Sequence, residues 1–292
     1  MYPQNTLAGF RHCLDRAVDG IEFDVHLSLD GEVVVQHDYR LNPDITRNSQ
    51  GEWLQRPTPK LIEMSLPEIR RYDVGRYRAN SRPARSYPGY GPRDREPIPT
   101  LDEFIAALAL HESSNAELWL ELKTSPLNRA ISSDPEKLLD TVLQKLDDGN
   151  MIENTVLLAF EWDLLVKAQK VAPSIRTNFL SLSDARLQAL YPQLAVSNFQ
   201  QLFGRYAPAQ FGSAPAAVSA AGGDWWGPLI HDVSAEDVLA AKRENVLINA
   251  WGVGSTPVEL DHALAMELDA ITVARPDLAG KRLRGESLPA DS

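Results

Sequence analysis

Glu22 and Asp24 stand two positions apart in the run Gly20-Ile-Glu-Phe-Asp-Val-His26. Side chains alternate along a strand, so both carboxylates project from one face while Ile21, Phe23 and Val25 project from the other. Asp30-Gly31 follows between two β-rich runs and predicts a tight reversal. The returning run Val33-Val34-Val35 then delivers His37 and Asp38 to the same neighbourhood. A strand covered on both faces cannot keep unpaired carboxylates charged cheaply. A divalent cation would resolve that cost, and oxygen donors suit Mg2+ or Ca2+. A strand whose second face meets water would resolve it equally well. These residues alone leave both solutions open.

A second acidic strand lies downstream. Glu117-Leu-Trp-Leu-Glu-Leu-Lys123 places Trp119, Glu121 and Lys123 on one face and Leu118, Leu120 and Leu122 on the other, towards helices. Helix and strand alternate from Pro99 onward, which implies a parallel sheet. Strands are predicted at 20–25, 117–123, 155–160, 175–180, 225–230, 246–251 and 269–273. A first helix, capped by Asn5 or Thr6, carries Leu7, Phe10, Leu14 and Ala17 on one face. Thr100 caps a helix with Leu101, Phe104, Ile105 and Leu108, and further helices are predicted at 134–147, 162–171, 234–243 and 256–267. A helix ahead of the first strand implies one more strand upstream of Met1. The expectation is therefore an α/β chain, a (β/α)8 barrel whose first strand is missing here, forming a single domain over 1–292. In such barrels catalytic groups occupy the C-terminal ends of the strands. Glu22, Asp24, Glu121, Lys123, Phe160 and Trp251 all fall at or near such ends.

Residues 42–100 break this rhythm. They hold nine of the twenty prolines and read as an inserted subdomain or cap. Eleven Lys or Arg stand there against seven Asp or Glu, in a chain of net charge −11. That excess suits either a solvated surface or a cap that attracts anions. The overall acidity argues against a nucleic-acid partner. No apolar run is long enough to span a membrane, and a cytoplasmic location is expected. The one cysteine, Cys13, excludes a disulfide framework and reads as a packed position in the first helix. Of the other histidines, His12 reads as exposed and His26 as structural, and His111, His231 and His262 carry no assigned chemistry. Glu161 follows Phe160 and either reaches the mouth or, as the plainer reading, lies at the surface, and Asp232 reads as serving the helix start at Ser234.

In order along the chain, these pieces resemble the glycerophosphodiester phosphodiesterase family of TIM-barrel hydrolases. Pro3-Gln-Asn-Thr-Leu-Ala-Gly-Phe10 is similar to its P-E-N-T-x-x-A-F helix start, and Glu22-Phe-Asp24 to its E-x-D metal motif. Asp30-Gly31 with His37-Asp38 resembles the D-G…H-D arm, and Ile98-Pro-Thr-Leu-Asp-Glu103 the exit from the inserted subdomain. Glu121-Leu-Lys123 resembles E-L-K, Trp251-Gly-Val253 stands in place of W-T-V, and Arg275-Pro276-Asp277 resembles the ending. The family's first strand ends H-R-G just before P-E-N-T. Here Met1-Tyr2 occupies that place, so a catalytic His and a phosphate-binding Arg are absent from the chain.

The resemblance implies hydrolysis of a small-molecule glycerophosphodiester to glycerol 3-phosphate and an alcohol. It implies attack by the substrate's own glycerol hydroxyl and a cyclic phosphate that water opens. Glu22, Asp24 and Glu121 would hold one Mg2+ or Ca2+, and His37 would exchange protons. Lys123 would bind the phosphate, and Phe160 and Trp251 would line the glycerol side. Two other readings remain at this point: a truncated or impaired member that binds phosphodiesters without efficient turnover, and an aldolase using Lys123 as a Schiff base.

Overall fold

The computed structural model describes residues 2–16, 18–111, 116–254 and 256–286. Ala17, expected on the first helix, lies outside them, as do the two ends of the 1–292 span. The chain divides into two compact units, Met1–Thr124 with Asn128–Thr155, and Ser125–Leu127 with Val156–Ser292. Both are built from strands and helices. Among the described residues, no helix is long and apolar enough to cross a membrane.

The first unit begins with the helix Leu7–Leu14, whose cap is Thr6: its Oγ1 accepts from Gly9 N at 3.0 Å. Asn5, the other candidate cap, instead adopts a left-handed φ of 54°. Strand β1, Gly20–Leu27, pairs antiparallel with β2, Val33–Val35, and parallel with β3, Glu117–Leu122. The reversal between β1 and β2 is closed by Ser28 N to Glu32 O at 2.9 Å, with Gly31 at φ 86°. That backbone conformation favours glycine, which is why Asp30-Gly31 was a legible signal. Behind β1, Phe23 meets Phe10 and Phe104 at ring-centroid distances of 5.6 and 4.5 Å. Phe23 and Phe104 are fully buried, each stabilising the fold by roughly 1.5–3 kcal/mol over an exposed side chain. Gly20 is required by close approach, because a Cβ there would stand 2.5 Å from Trp119 Nε1.

Residues 42–100 contain the short helical segments Leu61–Glu63, Leu66–Ile69 and Arg82–Ser86. Leu41, Leu61, Met64, Ile69, Val74 and Ile98 pack with Val34 of β2 into a cluster of their own. Asp73 organises the loops: it pairs with Arg47 and accepts from the backbone N–H groups of Gly75, Arg95 and Glu96. Arg47 also reaches Asp94 at 2.6 Å.

The second unit carries β4 (Thr155–Ala159), β5 (Arg176–Ser181), β6 (Trp225–Pro228), β7 (Leu247–Val253) and β8 (Ala270–Val273). Successive strands pair in parallel, as the helix–strand alternation predicts. Helices Trp162–Val171, Ala235–Glu244, Pro257–Ala265 and Pro276–Leu283 follow β4, β6, β7 and β8. Strand β6 ends at Pro228, two residues before the predicted end, although Leu229 still donates to Ser181 O at 3.3 Å and bridges Trp251. Phe160, predicted inside its strand, lies just beyond β4.

Candidate active site

The parallel register of β1 and β3 sets Asp24 directly beside Glu121 and Glu22 beside Trp119. Alternation then puts Glu22, Asp24 and Glu121 on one face. One carboxylate oxygen from each lies within 4.8 Å of the others. Lys123 follows the last residue of β3, and its Nζ reaches Asp24 Oδ1 at 3.0 Å and Glu121 Oε1 at 2.9 Å. Asp24 has a further clasp: Asn5 Nδ2 donates to its Oδ2 at 2.9 Å, and Asp24 N donates to Asn5 Oδ1 at 3.3 Å. The left-handed backbone at Asn5 aims this amide back across nineteen residues of chain. The hairpin arm brings His37, whose Nδ1 is 2.7 Å from Asp38 Oδ1. Asn42 donates to the other oxygen of Asp38 at 3.3 Å. His26 is buried and its Nε2 contacts the His37 carbonyl at 3.2 Å, so it holds the arm's backbone, a structural role.

The electrostatics follow from setting the buried Asp24 and Glu121 and the half-buried Glu22 beside one ammonium. Burial pushes the Glu22 carboxyl well up, and the neighbouring Asp24 and Glu121 push it further. Burial also raises Glu121, with Asp24 adding to it and Lys123 opposing. At Asp24 burial works upward too, but Lys123, His37 and the Asn5 hydrogen bond outweigh it and hold the carboxyl at about 2. Lys123 loses from burial and gains more from Asp24 and Glu121, so its ammonium is held firmly protonated. A Schiff-base lysine needs the opposite, a free amine near neutrality, which disfavours the aldolase reading. The hydrogen bond to Asp38 raises His37, whose side chain is exposed. His26 is pushed down to about 4, chiefly by burial, and stays neutral. The donor set fits a hard divalent cation: it is all carboxylate oxygen, and one lysine leaves negative charge uncompensated.

In the second unit, Phe160 and Trp251 meet edge-to-face with centroids 5.7 Å apart. Trp251 Nε1 donates to Gly227 O at 2.9 Å, which fixes the indole. Glu161, expected at the surface, is buried, because it ends the connection between β4 and the helix Trp162–Val171. Asp232 does not serve the helix at Ser234, whose N-terminus is closed reciprocally by Ser234 and Asp237. It accepts instead from Ser183 N at 2.8 Å and Arg186 Nε at 3.2 Å, at the start of the helix Asp184–Leu190. His12, expected exposed, is half-buried against the Tyr2 ring at 5.2 Å. Cys13 is half-buried.

The sequence profile described as the glycerophosphoryl diester phosphodiesterase family matches residues 1–278. The chain belongs to this family. A glycerophosphodiester phosphodiesterase of Bacillus altitudinis is 48% identical over 190 residues, 65% of this chain and 66% of that one. The crystal structure of a putative glycerophosphoryl diester phosphodiesterase from Silicibacter pomeroyi superposes with a TM-score of 0.83 at 28% identity, over 98% of this chain and 90% of that one. An Oleispira antarctica phosphodiesterase, solved with the product sn-glycerol-3-phosphate, shares the fold with a TM-score of 0.68 at 18% identity, over 97% and 92% of the two chains. The matches span between 60% and 66% of the length of three Bacillus relatives, less than two thirds.

Sequence reasoning missed the link from Asn5 to Asp24. Asn5 was visible as a helix-start residue and as part of the family's P-E-N-T-like segment. Its hydrogen bonds to β1 depend on a backbone turn that composition does not reveal. Tyr39 was also missed: its hydroxyl donates to Thr124 O at 3.0 Å, tying the arm to the residue after Lys123.

Proposed function

We propose that this chain hydrolyses glycerophosphodiesters to glycerol 3-phosphate and an alcohol, on a (β/α)8 framework with 42–100 as an inserted cap. The observation that carries the reading is the convergence of Glu22, Asp24 and Glu121 around Lys123, in a member of a phosphodiesterase family. The relative solved with sn-glycerol-3-phosphate supports the substrate class. Glu22, Asp24 and Glu121 would hold one divalent cation, Mg2+ or Ca2+. Such an ion, when bound, polarises phosphoryl oxygens and lowers the pKa of a bound hydroxyl.

The chain's own groups supply the rest. Asp38 sits below the usual carboxylate range, because its hydrogen bond to His37 outweighs its burial, and as an anion it can only accept. It therefore receives the Nδ1 proton of His37, which leaves Nε2 as the atom that takes and returns a proton. Lys123 offers a fixed positive charge to phosphoryl oxygens as negative charge builds on them. Phe160 and Trp251 present aromatic surface for the apolar side of a glycerol group.

The test is release of glycerol 3-phosphate from glycerophosphocholine by the purified protein. Turnover that needs Mg2+ or Ca2+ and falls about 10²–10⁴-fold in His37→Ala supports the proposal. No release with either ion refutes it.

A further inference from the structure

The proposed ion site already contains a cation. The Lys123 ammonium bridges Asp24 Oδ1 and Glu121 Oε1 at 3.0 and 2.9 Å. The second oxygen of Asp24 is taken by the Asn5 amide at 2.9 Å. An entering ion therefore meets Lys123 at the oxygen of Asp24 that it most needs. Asp24, Glu121 and Lys123 are all buried, so solvent screens little of the resulting repulsion. Charge counting points the same way. With all three carboxylates ionised, as ion ligands are, Lys123 alone leaves two negative charges uncompensated. A divalent ion together with a nearby ammonium balances all three. The site can accommodate both cations in charge, and the two would compete for Asp24 Oδ1 and Glu121 Oε1.

We propose that Lys123 is the resident counter-ion of the ion-free site and leaves the Asp24–Glu121 bridge when a divalent cation binds. Its ammonium then becomes available to an anionic phosphoryl oxygen only in the ion-loaded protein. This rests on reading Glu22, Asp24 and Glu121 as the ion's ligands. The lysine thus has two successive partners, carboxylate first and phosphate second. The device imposes an order, ion before phosphodiester. By linkage, ion and phosphate must strengthen each other's binding by the same factor. It also explains why an ammonium on a flexible stem stands here. A planar guanidinium would grip the two carboxylates through several fixed donors and release them reluctantly.

The test uses the wild-type chain first. Pulse acetylation with acetic anhydride is read at Lys123 by peptide mass spectrometry, without ion and with saturating Mg2+ or Ca2+. Labelling of Lys123 relative to the other lysines should rise at least about fivefold on saturation, the lower end of ordinary coupling between sites. Calorimetry gives the second readout. Lys123→Met should bind the ion at least about fivefold more tightly than wild type, and should lose the ion-dependent gain in inorganic phosphate affinity. Lys123→Gln serves if the Met variant does not fold. Unchanged or reduced labelling on saturation, with wild-type ion affinity in the variant, overturns the counter-ion proposal and leaves the ion site standing. Absence of ion binding by the wild-type chain refutes the ion site, and this proposal with it.

Discussion

Replacing Asn5 by Gly removes the clasp on Asp24 while leaving the backbone free to keep its left-handed turn, since Gly adopts φ near 54° at no steric cost. Two hydrogen bonds are lost. The one from Asn5 Nδ2 to a buried carboxylate oxygen is charge-assisted and contributes about 1.5–3 kcal/mol. The longer one, from Asp24 N to Asn5 Oδ1, contributes at most about 1 kcal/mol. The sum, roughly 2–4 kcal/mol, corresponds to a fall in Tm of roughly 3–7 °C for a chain of this size. The same bond helps hold Asp24 at about 2. A carboxyl depressed from ~3.9 contributes stability that is present above its unfolded value and lost as pH falls through its folded value. Asn5→Gly therefore raises the pH at which the ion-free protein unfolds in acid. Loss of a partner that orients a metal ligand should also weaken ion binding about 10–100-fold. Thermal unfolding, acid titration and calorimetry each read one of these. Wild-type Tm, acid midpoint and ion affinity in Asn5→Gly would refute the assignment of Asn5 as the residue that positions Asp24.

Other predictions rest on separate features. Glu22→Gln removes a carboxyl whose raised pKa makes its ionised form unfavourable in the fold. Stability is lost as pH rises from the unfolded value through the folded one, so this variant should have a higher ion-free Tm than wild type above that window while losing ion affinity, as read by calorimetry and thermal unfolding. Asp38→Asn takes the negative charge out of the hydrogen bond that raises His37, and should move the His37 limb of the pH–rate profile to lower pH; an unmoved limb would contradict the pairing. Gly20→Ala forces a Cβ against Trp119 and should cost about 1–3 kcal/mol in denaturant unfolding. Arg47→Met leaves the half-buried Asp73 with its backbone donors alone, and should make residues 42–98 the first segment cut by limited proteolysis.

The strand pair that carries the acids was legible because its physics is local. The alternation in 20–25 and 117–123 put Glu22, Asp24 and Glu121 on a predictable face, and Asp30-Gly31 marked the reversal that returns His37. The register that sets Asp24 beside Glu121 was not legible, because strand pairing depends on contacts far apart in sequence. Nor was the direction of Lys123. Its parity placed it on the right face, but only the register shows that its ammonium bridges two acids. The cluster around Leu61, Ile69 and Ile98 was hidden for a related reason: its apolar residues follow no period that would separate a small core from a long loop. Glu161 and Asp232 were misplaced because both were judged by their sequence neighbours. Glu161 is buried, and the partners of Asp232 lie forty-six to forty-nine residues away.

Anomalous scattering from crystals soaked in Mn2+, a redox-quiet substitute for Mg2+, tests the central claim most directly. The account predicts one strong peak ligated by oxygens of Glu22, Asp24 and Glu121, with Lys123 Nζ withdrawn from Asp24 Oδ1. A peak elsewhere, or none, in protein that still hydrolyses glycerophosphocholine would contradict it.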